Sequence, residues 1–262
     1  MSEDRDAAAL HILVVDDHLT NQMVVKHQLE RKGHQVVIAG DGQEAVALCE
    51  TQRFDLVFMD VQMPIMDGIE ATRKIRAGTV NRGVPIIAVT AGAEFSLHRD
   101  CMAAGMSSVI TKPLLFDQLS SVLEGVRSGA ITGAVQAVNA EREETSRFSE
   151  SPLDFGVFID RLDGDEIFAQ QLIDGFLQQN ERLLSQMSEN LRKGEWDSLR
   201  TSAHTIKGGA LNLAAGDLHR AAEALENAGN ADPKQRDRLL SELMREHDRL
   251  RRFAERRPWL DY

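Results

Sequence analysis

The segment Ile12-Leu13-Val14-Val15-Asp16-Asp17 indicates the architecture of the first half of the chain. Its run of aliphatic residues is typical of a strand covered on both faces, as in a parallel sheet. The run ends abruptly at two carboxylates, which places Asp16 and Asp17 at the carboxyl end of that strand. We therefore expect a buried parallel strand with an acidic end.

From this segment to about residue 127, short runs of β-branched residues alternate with stretches of helical period. Such alternation predicts parallel strands joined by right-handed helical crossovers, which is a doubly wound (βα)₅ α/β sheet. Ligands of such sheets bind beyond the carboxyl ends of the strands. The strand candidates are Ile12–Val15, Val36–Ala39, Leu56–Met59, Ile86–Val89 and Val109–Thr111.

The last third of the chain has a different pattern, in which only helical periods remain. Long periodic segments separated by short Gly-containing breaks predict an antiparallel four-helix bundle, so the second domain is all-α. The predicted helices are Ile167–Leu191, Trp196–Leu213, Asp217–Ala228 and Pro233–Phe253. Between the two patterns, small and polar residues predict a linker, with a short helix over Ala134–Glu144. The predicted organisation is a tail over 1–9, the α/β domain over 10–127, the linker over 128–152, the bundle domain over 153–257 and a tail over 258–262.

The composition excludes several classes of function. The 262 residues include 30 Lys and Arg against 41 Asp and Glu, giving a net charge of −11, which repels nucleic-acid phosphates and anionic membranes. Uncharged stretches are too short to cross a membrane, so we expect no membrane insertion. Because of the negative net charge, we also expect no nucleic-acid partner. The chain has two cysteines and a charged N-terminal segment, which favours a cytoplasmic protein without a disulfide framework.

Polar residues follow four different strands of the predicted sheet: Asp16 and Asp17, Asp60, Thr90 and Lys112. Crowded carboxylates raise one another's pKa unless a cation neutralises them, and an all-oxygen cluster suits Mg²⁺. Together with a lysine and a hydroxyl, they form a site that would stabilise a transferring phosphoryl group, with one aspartate as nucleophile. A single Asp after a strand is more often a turn former or helix cap, but five suitable residues at one edge favour chemistry.

A second candidate site lies on the second bundle helix, where His204 falls outside the predicted buried stripe. Its imidazole is therefore expected to point away from the core and to be able to attack phosphorus, with Lys207 one turn on as a cation for the phosphoryl oxygens. Gly208 and Gly209 cost helix stability, which indicates a role such as close approach of a partner. The alternative is a surface histidine beside a flexible helix break. The stripe consists of Leu199, Ala203, Ile206, Ala210 and Leu213.

Residues 10–127 resemble a response-regulator receiver domain, a flavodoxin-like fold, over their whole length. The resemblance implies that Asp60 accepts a phosphoryl group and that Thr90 and Lys112 contact its oxygens. It also implies a cis Lys112–Pro113 peptide, and Mg²⁺ held by Asp16 (through water), Asp17, Asp60 and the backbone carbonyl of Gln62. The motifs are Asp16-Asp17, Met59-Asp60-Val61-Gln62-Met63-Pro64-Ile65-Met66-Asp67-Gly68, Thr90-Ala91 and Lys112-Pro113.

One position departs from the receiver pattern. Receivers usually carry Tyr or Phe three residues before the lysine, and this aromatic moves together with the threonine when the domain is phosphorylated. The chain has Val109 there. We expect phosphotransfer to continue without that aromatic and the usual output switch to be altered.

Residues 153–257 resemble a histidine phosphotransfer (Hpt) domain, on the motif Ala203-His204-Thr205-Ile206-Lys207-Gly208-Gly209-Ala210 and the following Asn212-Leu213 and Ala221–Ala228. The resemblance implies that His204 is phosphorylated, with Lys207 and Gly208 as supporting neighbours. A receiver and an Hpt domain together imply a phosphorelay protein. Its partners would be an upstream histidine kinase and a receiver upstream or downstream.

Other functions remain open at this point. The chain shows no Gly-rich nucleotide loop, so it is not expected to be a conventional enzyme or to start a relay from ATP. It could be the C-terminal fragment of a hybrid sensor histidine kinase, or a docking module that phosphorylation regulates without transfer from Asp to His. An Mg²⁺-dependent phosphate-ester hydrolase would need an acid/base Asp where the chain has Gln62.

Overall fold

The structure is a computed structural model that describes residues 9–90, 95–112, 114, 116–129, 151–229 and 231–256. The chain separates into two compact units, with the border at residue 140. Of the predicted tail over 1–9, only residue 9 is among the described residues. The predicted tail over 258–262, the predicted helix over 134–144 and Pro113 lie outside them. The exact domain boundaries stay predictions.

The first unit contains a five-stranded parallel sheet with the strand order β2-β1-β3-β4-β5. This confirms the predicted doubly wound, flavodoxin-like α/β fold. The chain returns across β1 between β2 and β3, so the carboxyl ends of β1 and β3 flank the topological switch point. The elements are β1 His11–Val15, α1 Leu19–Arg31, β2 Gln35–Ala39, α2 Gly42–Thr51, β3 Leu56–Asp60, α3 Gly68–Ala77, β4 Ile86–Thr90, α4 Phe95–Ala104, β5 Ser108–Thr111 and α5 Phe116–Ser128.

The central strands are apolar on both faces because each face packs against helices. Every residue of β3 and β4 is buried, whereas the edge strand β2 is mostly half-buried. One core cluster includes Val57 and Met59, and the cluster on the other face includes Leu56 and Phe58. The alternation of neighbouring residues between two cores explains why these strands have no polar face.

The second unit contains the four predicted long helices, which are α7 Glu166–Lys193, α8 Trp196–Asn212, α9 Gly216–Glu226 and α10 Pro233–Glu255. Gly194 adopts a left-handed conformation (φ 75°) at the end of α7, where it allows the tight connection to α8. The predicted stripe on α8 is confirmed, because its members Leu199, Ala203, Ile206 and Ala210 and the adjoining Leu213 are all fully buried. Among the described residues, none of the helices is long and apolar enough to span a membrane.

The bundle also has a short helix that the sequence did not predict, α6 Phe155–Arg161. Asp154 caps it by accepting a hydrogen bond from the Val157 amide at 3.1 Å. The Arg161 guanidinium donates to the Leu211 and Asn212 carbonyls at 2.7 and 3.0 Å. Since these carbonyls lie at the last turn of α8, α6 closes the end of the bundle.

Candidate functional site

The predicted carboxylates come together at the switch point of the sheet. Asp16 follows β1 and Asp60 ends β3, and the register of Val15 opposite Met59 places the two side by side. Asp16, Asp17 and Asp60 each offer a carboxylate oxygen, and these oxygens all lie within 4.8 Å of one another. Asp16 and Asp60 are buried and Asp17 is half-buried. The arrangement is an acidic cluster in which Asp17 is the most accessible of the three carboxylates.

Lys112 holds two of these carboxylates together. Its Nζ lies 2.7 Å from Asp16 Oδ2 and 2.6 Å from Asp60 Oδ2, with the side chain almost fully buried. The Lys112 amide donates to the Thr90 carbonyl at 2.7 Å, which fixes the lysine at the end of β4. Burial acts to lower the pKa of Lys112, but the carboxylates of Asp16 and Asp60 outweigh burial and raise it. The Lys112 side chain is therefore a permanent cation beside Asp60.

The two oxygens of Asp60 have different partners. Oδ1 accepts a hydrogen bond from the Gln62 amide at 3.1 Å, and Oδ2 faces Lys112. Burial raises the pKa of Asp60, Lys112 opposes this increase, and Asp16 adds to it. Gln62 has an exposed side chain, so it meets the site through its backbone. Thr90 is buried as the last residue of β4, next to the strand end that bears Asp60.

Sequence reasoning missed three residues that surround Asp16. Asn21 Nδ2 donates to Asp16 Oδ1 and Oδ2 at 2.9 and 3.1 Å, and Gln22 Nε2 donates to the Asp16 carbonyl at 2.6 Å. The His18 amide donates to Asp16 Oδ1 at 2.9 Å. Burial lowers the pKa of His18 to about 4 despite Asp16, so its neutral Nδ1 can accept the Thr20 amide hydrogen and cap α1. The sequence feature that could have indicated these residues is their position at the start of α1, directly after Asp16 and Asp17.

The acidic site has the chemistry that a magnesium ion requires. Its candidate ligands are carboxylate oxygens only, and Lys112 pairs with two of the three carboxylates, which leaves negative charge for a cation to balance. Mg²⁺ is bound in proteins by carboxylates together with waters and phosphate oxygens, which matches three converging aspartates of which one is only half-buried. Asp16, Asp17 and Asp60 therefore fit this ion.

The second site is centred on His204, and the structure adds a residue that the sequence did not indicate. His204 Nδ1 lies 2.7 Å from Glu226 Oε1, and Lys207 Nζ lies 2.6 Å from Glu226 Oε2. His204 and Lys207 are on α8, and Glu226 is the last residue of α9. The sequence predicts an imidazole that points away from the core; His204 lies outside the buried stripe and is half-buried, with 18% of its side chain exposed.

Glu226 fixes the tautomer of the imidazole. Burial acts to raise its pKa, but hydrogen bonds from His204 and Lys207 outweigh burial and lower it to about 2. An ionised carboxylate only accepts hydrogen bonds, so Nδ1 of His204 must be the protonated nitrogen. The lone pair of the neutral ring then lies on Nε2, where it is available for attack on phosphorus.

The α8 backbone next to His204 is held by α9. His219 Nδ1 lies 3.1 Å from the Lys207 carbonyl, and Gly209 is buried while Gly208 is half-buried. Gly208 lies one turn from His204 and adds no side chain to the partly exposed surface there, whereas Gly209 belongs to the buried face of α8. The role of these glycines in the approach of a partner stays a prediction. Val109, the aliphatic residue at the usual aromatic position of the first domain, is buried in β5. Its effect on output stays a prediction.

The fold and the two sites define a protein of two-component signalling. The family model of the response regulator receiver domain matches residues 12–124, and that of the Hpt domain matches residues 171–253. The chain therefore contains a receiver domain followed by an Hpt domain.

Two curated relatives are similar to this chain along more than nine-tenths of its length. The virulence sensor protein BvgS of Bordetella parapertussis is 29% identical over 95% of this chain and 21% of that protein. The sensor histidine kinase AruS of Pseudomonas aeruginosa is 34% identical over 91% of this chain and 23% of that protein. The chain thus spans about a fifth of the length of these relatives. A receiver domain of the sensor histidine kinase PA1611 from P. aeruginosa, solved with a coordinated magnesium ion, is 40% identical, with a TM-score of 0.43 over 45% of this chain and 96% of that one.

We predict that Gly68→Ala disrupts the acidic site. A Cβ at this position would lie 2.1 Å from the Asp60 carbonyl oxygen, a backbone atom that cannot move without shifting Asp60. Such overpacking is expected to destabilise the receiver by about 1–3 kcal/mol and to slow labelling of Asp60 by a small phosphodonor. Urea unfolding and donor labelling measure the two effects. Gly83→Ala is the control, since its Cβ would meet no atom within 4 Å, and equal behaviour of both variants would contradict the prediction.

We predict that Glu226→Gln slows phosphoryl transfer at His204 by about tenfold or more, because misplacing a reacting group is costly. The glutamine amide lacks the negative charge that pairs with Lys207. Its NH₂ group can donate a hydrogen bond to His204 Nδ1, which favours the tautomer with the proton on Nε2. Because the pKa of Glu226 is about 2, the carboxylate keeps its charge, and the hydrogen bond that it accepts from His204 Nδ1, until pH falls towards 2. Nitrogen NMR of the imidazole and the transfer rate check this. Glu223→Gln, an exposed change on the same helix, should alter neither.

Proposed function

We propose that this chain is a phosphorelay protein, in which Asp60 accepts a phosphoryl group and His204 carries one to or from the aspartate of a receiver. The observation that carries the proposal is the presence of two complementary acceptors on one chain. One is a buried carboxylate paired with a lysine at 2.6 Å, and the other is an imidazole whose Nδ1 is tied to a carboxylate at 2.7 Å.

In the receiver step, an oxygen of Asp60 forms a bond to phosphorus while the bond from phosphorus to the donor nitrogen breaks. The product is an acyl phosphate, and the donor imidazole regains its lone pair. Lys112 faces the negative phosphoryl oxygens, and the Thr90 hydroxyl donates a hydrogen bond to them. Mg²⁺, held by Asp16, Asp17, Asp60 and the Gln62 carbonyl, would neutralise further charge on these oxygens.

In the Hpt step, Nε2 of His204 forms a bond to phosphorus while the bond from phosphorus to the aspartate oxygen breaks. The phosphorylated ring then carries a positive charge with its proton on Nδ1. Glu226 stabilises that charge across the 2.7 Å hydrogen bond, and Lys207 is placed to meet the phosphoryl oxygens. Both products are high-energy phosphates, so the transfer is reversible and requires no nucleotide.

The partners that this chemistry requires are a histidine kinase that supplies the phosphoryl group and a receiver that exchanges it with His204. A second candidate is that this stretch acts as the C-terminal segment of a hybrid sensor histidine kinase. The similarity to BvgS and AruS along more than nine-tenths of the chain favours that candidate. The two candidates share both sites and differ in whether the kinase is on the same polypeptide.

Labelling with a small phosphodonor tests the proposal. The chain is incubated with phosphoramidate and Mg²⁺, and phosphate is measured by intact mass before and after acid or base treatment. We expect base-labile phosphate that Asp60→Asn removes and acid-labile phosphate that requires His204. If neither site is labelled, the proposal is wrong. Labelling of Asp60 without any exchange with His204 would leave only a docking module regulated by phosphorylation.

A further inference from the structure

The loop between β3 and α3 contains a strained turn at Ile65. The Met66 amide donates to the Pro64 carbonyl at 2.8 Å, and Ile65 between them has a φ of 69°. This is a γ-turn with a positive central φ, a rare and strained form. A β-branched side chain in that region is a genuine outlier, because its Cβ approaches the following carbonyl.

The turn is fixed relative to the phosphoacceptor. The Gly68 amide donates to the Val61 carbonyl at 3.1 Å, which closes the loop directly after Asp60. At Gly68 the chain passes so close to the Asp60 carbonyl that a Cβ would lie 2.1 Å from it. On the other side, a Cβ at Gly42 would lie 2.6 Å from the Met66 carbonyl. Two glycines thus allow the loop to be held tightly beside the acidic site.

The strained conformation of Ile65 does not bury its side chain in the receiver core. Ile65 is 79% exposed, although its neighbours Met63 and Met66 pack against the core. Leu19 and Phe95 are also exposed large hydrophobic residues, and they begin the helices that follow Asp17 and Thr90. Three of the exposed large hydrophobic residues described in the receiver therefore lie at the edge that carries Asp60. Exposed apolar side chains grouped in this way mark protein interaction sites.

We propose that Ile65 is the contact residue by which the receiver of one chain binds the α8 surface around His204 of a second chain, with the strained turn presenting the Ile65 side chain. This inference rests on the proposed function. Asp60 is only 2% exposed, so a helix-borne imidazole reaches it only when that helix lies over the edge, where a helix about 10 Å wide covers the adjoining loop. On α8, the half-buried Gly208 leaves room beside His204 for an apolar side chain.

Transfer between full-length chains tests the proposal. The Asp60→Asn chain, loaded on His204 with phosphoramidate, is mixed with a His204→Gln acceptor chain that has Ile65 or Ile65→Asn. Asparagine tolerates the left-handed region, so the receiver should melt a few degrees higher while accepting phosphate from His204 about tenfold more slowly. Direct labelling of Asp60 by phosphoramidate should be unchanged. Met102→Asn, which alters an exposed hydrophobic residue on α4, is the matched control and should keep the transfer rate.

Each other outcome has a definite meaning. An unchanged rate of transfer from His204 would overturn the role of Ile65 while leaving the relay intact. Equal slowing with phosphoramidate, or a lower melting temperature with slower transfer, would assign Ile65 to the integrity of the site and would also overturn the proposal. If the acceptor with Ile65 takes no phosphate although each site is labelled directly, the relay itself fails and this inference fails with it.

Discussion

The substitution His204→Gln is expected to remove all acid-labile phosphate from the chain while leaving base-labile phosphate on Asp60. The amide nitrogen of glutamine has a delocalised lone pair and does not attack phosphorus, whereas Nε2 of the imidazole does. Glutamine can still donate a hydrogen bond to Glu226, and the replaced side chain lies outside the buried stripe, so the bundle should keep its fold. Intact mass before and after mild acid measures the loss.

His219→Gln is the matched control for this variant. His219 lies on α9, and its ring contacts the Lys207 carbonyl at 3.1 Å, a contact that a glutamine amide can replace. This variant should therefore keep its acid-labile phosphate. Acid-labile phosphate that persists in His204→Gln would show that another residue is the acceptor and would contradict the assignment of His204.

The substitution Lys112→Met is expected to have the largest effect on the receiver. It keeps the apolar stem but removes the ammonium that lies 2.7 Å from Asp16 and 2.6 Å from Asp60. Breaking a buried pair leaves an uncompensated charge and costs about 3–5 kcal/mol. Removing one donor from a charge-stabilising site slows a reaction by about 10²–10³-fold, and we expect that loss for phosphorylation of Asp60.

The stability loss in Lys112→Met should depend on pH and on magnesium. The pKa of Asp60 is raised in the wild type by burial and would rise further without the lysine that opposes the increase. The variant should therefore regain stability as pH falls and its carboxylates take up protons, and also when Mg²⁺ is added. Urea unfolding with and without Mg²⁺ measures this. Lys74→Met, which removes an exposed ion pair with Glu70, should change neither property, and a similar loss in both variants would contradict the account.

The parts of the fold that the sequence predicted are those with regular burial. Strands β3 and β4 are buried on both faces, so they appear as continuous apolar runs, and their ends are marked by Asp60 and Thr90. The stripe on α8 was predictable because a helix that packs on one side repeats its apolar residues every three or four positions. A parallel sheet brings its strand ends to one edge, so the convergence of the carboxylates followed from the topology alone.

The parts that could not be predicted depend on tertiary contacts or on local backbone geometry. Glu226 is 22 residues from His204, and only the packing of α9 on α8 brings them together. The seven residues of α6 are too few to show a helical period. The positive φ of Ile65 lies in a loop that the hydrogen bond from the Gly68 amide to the Val61 carbonyl closes, and nothing in a β-branched residue indicates it.

The most direct test of the central claim is transfer of phosphate from Asp60 to His204 between two chains. A His204→Gln chain is labelled on Asp60, freed of donor, and mixed with an unlabelled Asp60→Asn chain in Mg²⁺. The account predicts that base-labile phosphate disappears from the first chain as acid-labile phosphate appears on His204 of the second. Release of the phosphate only to water as inorganic phosphate, with none on His204, would contradict it.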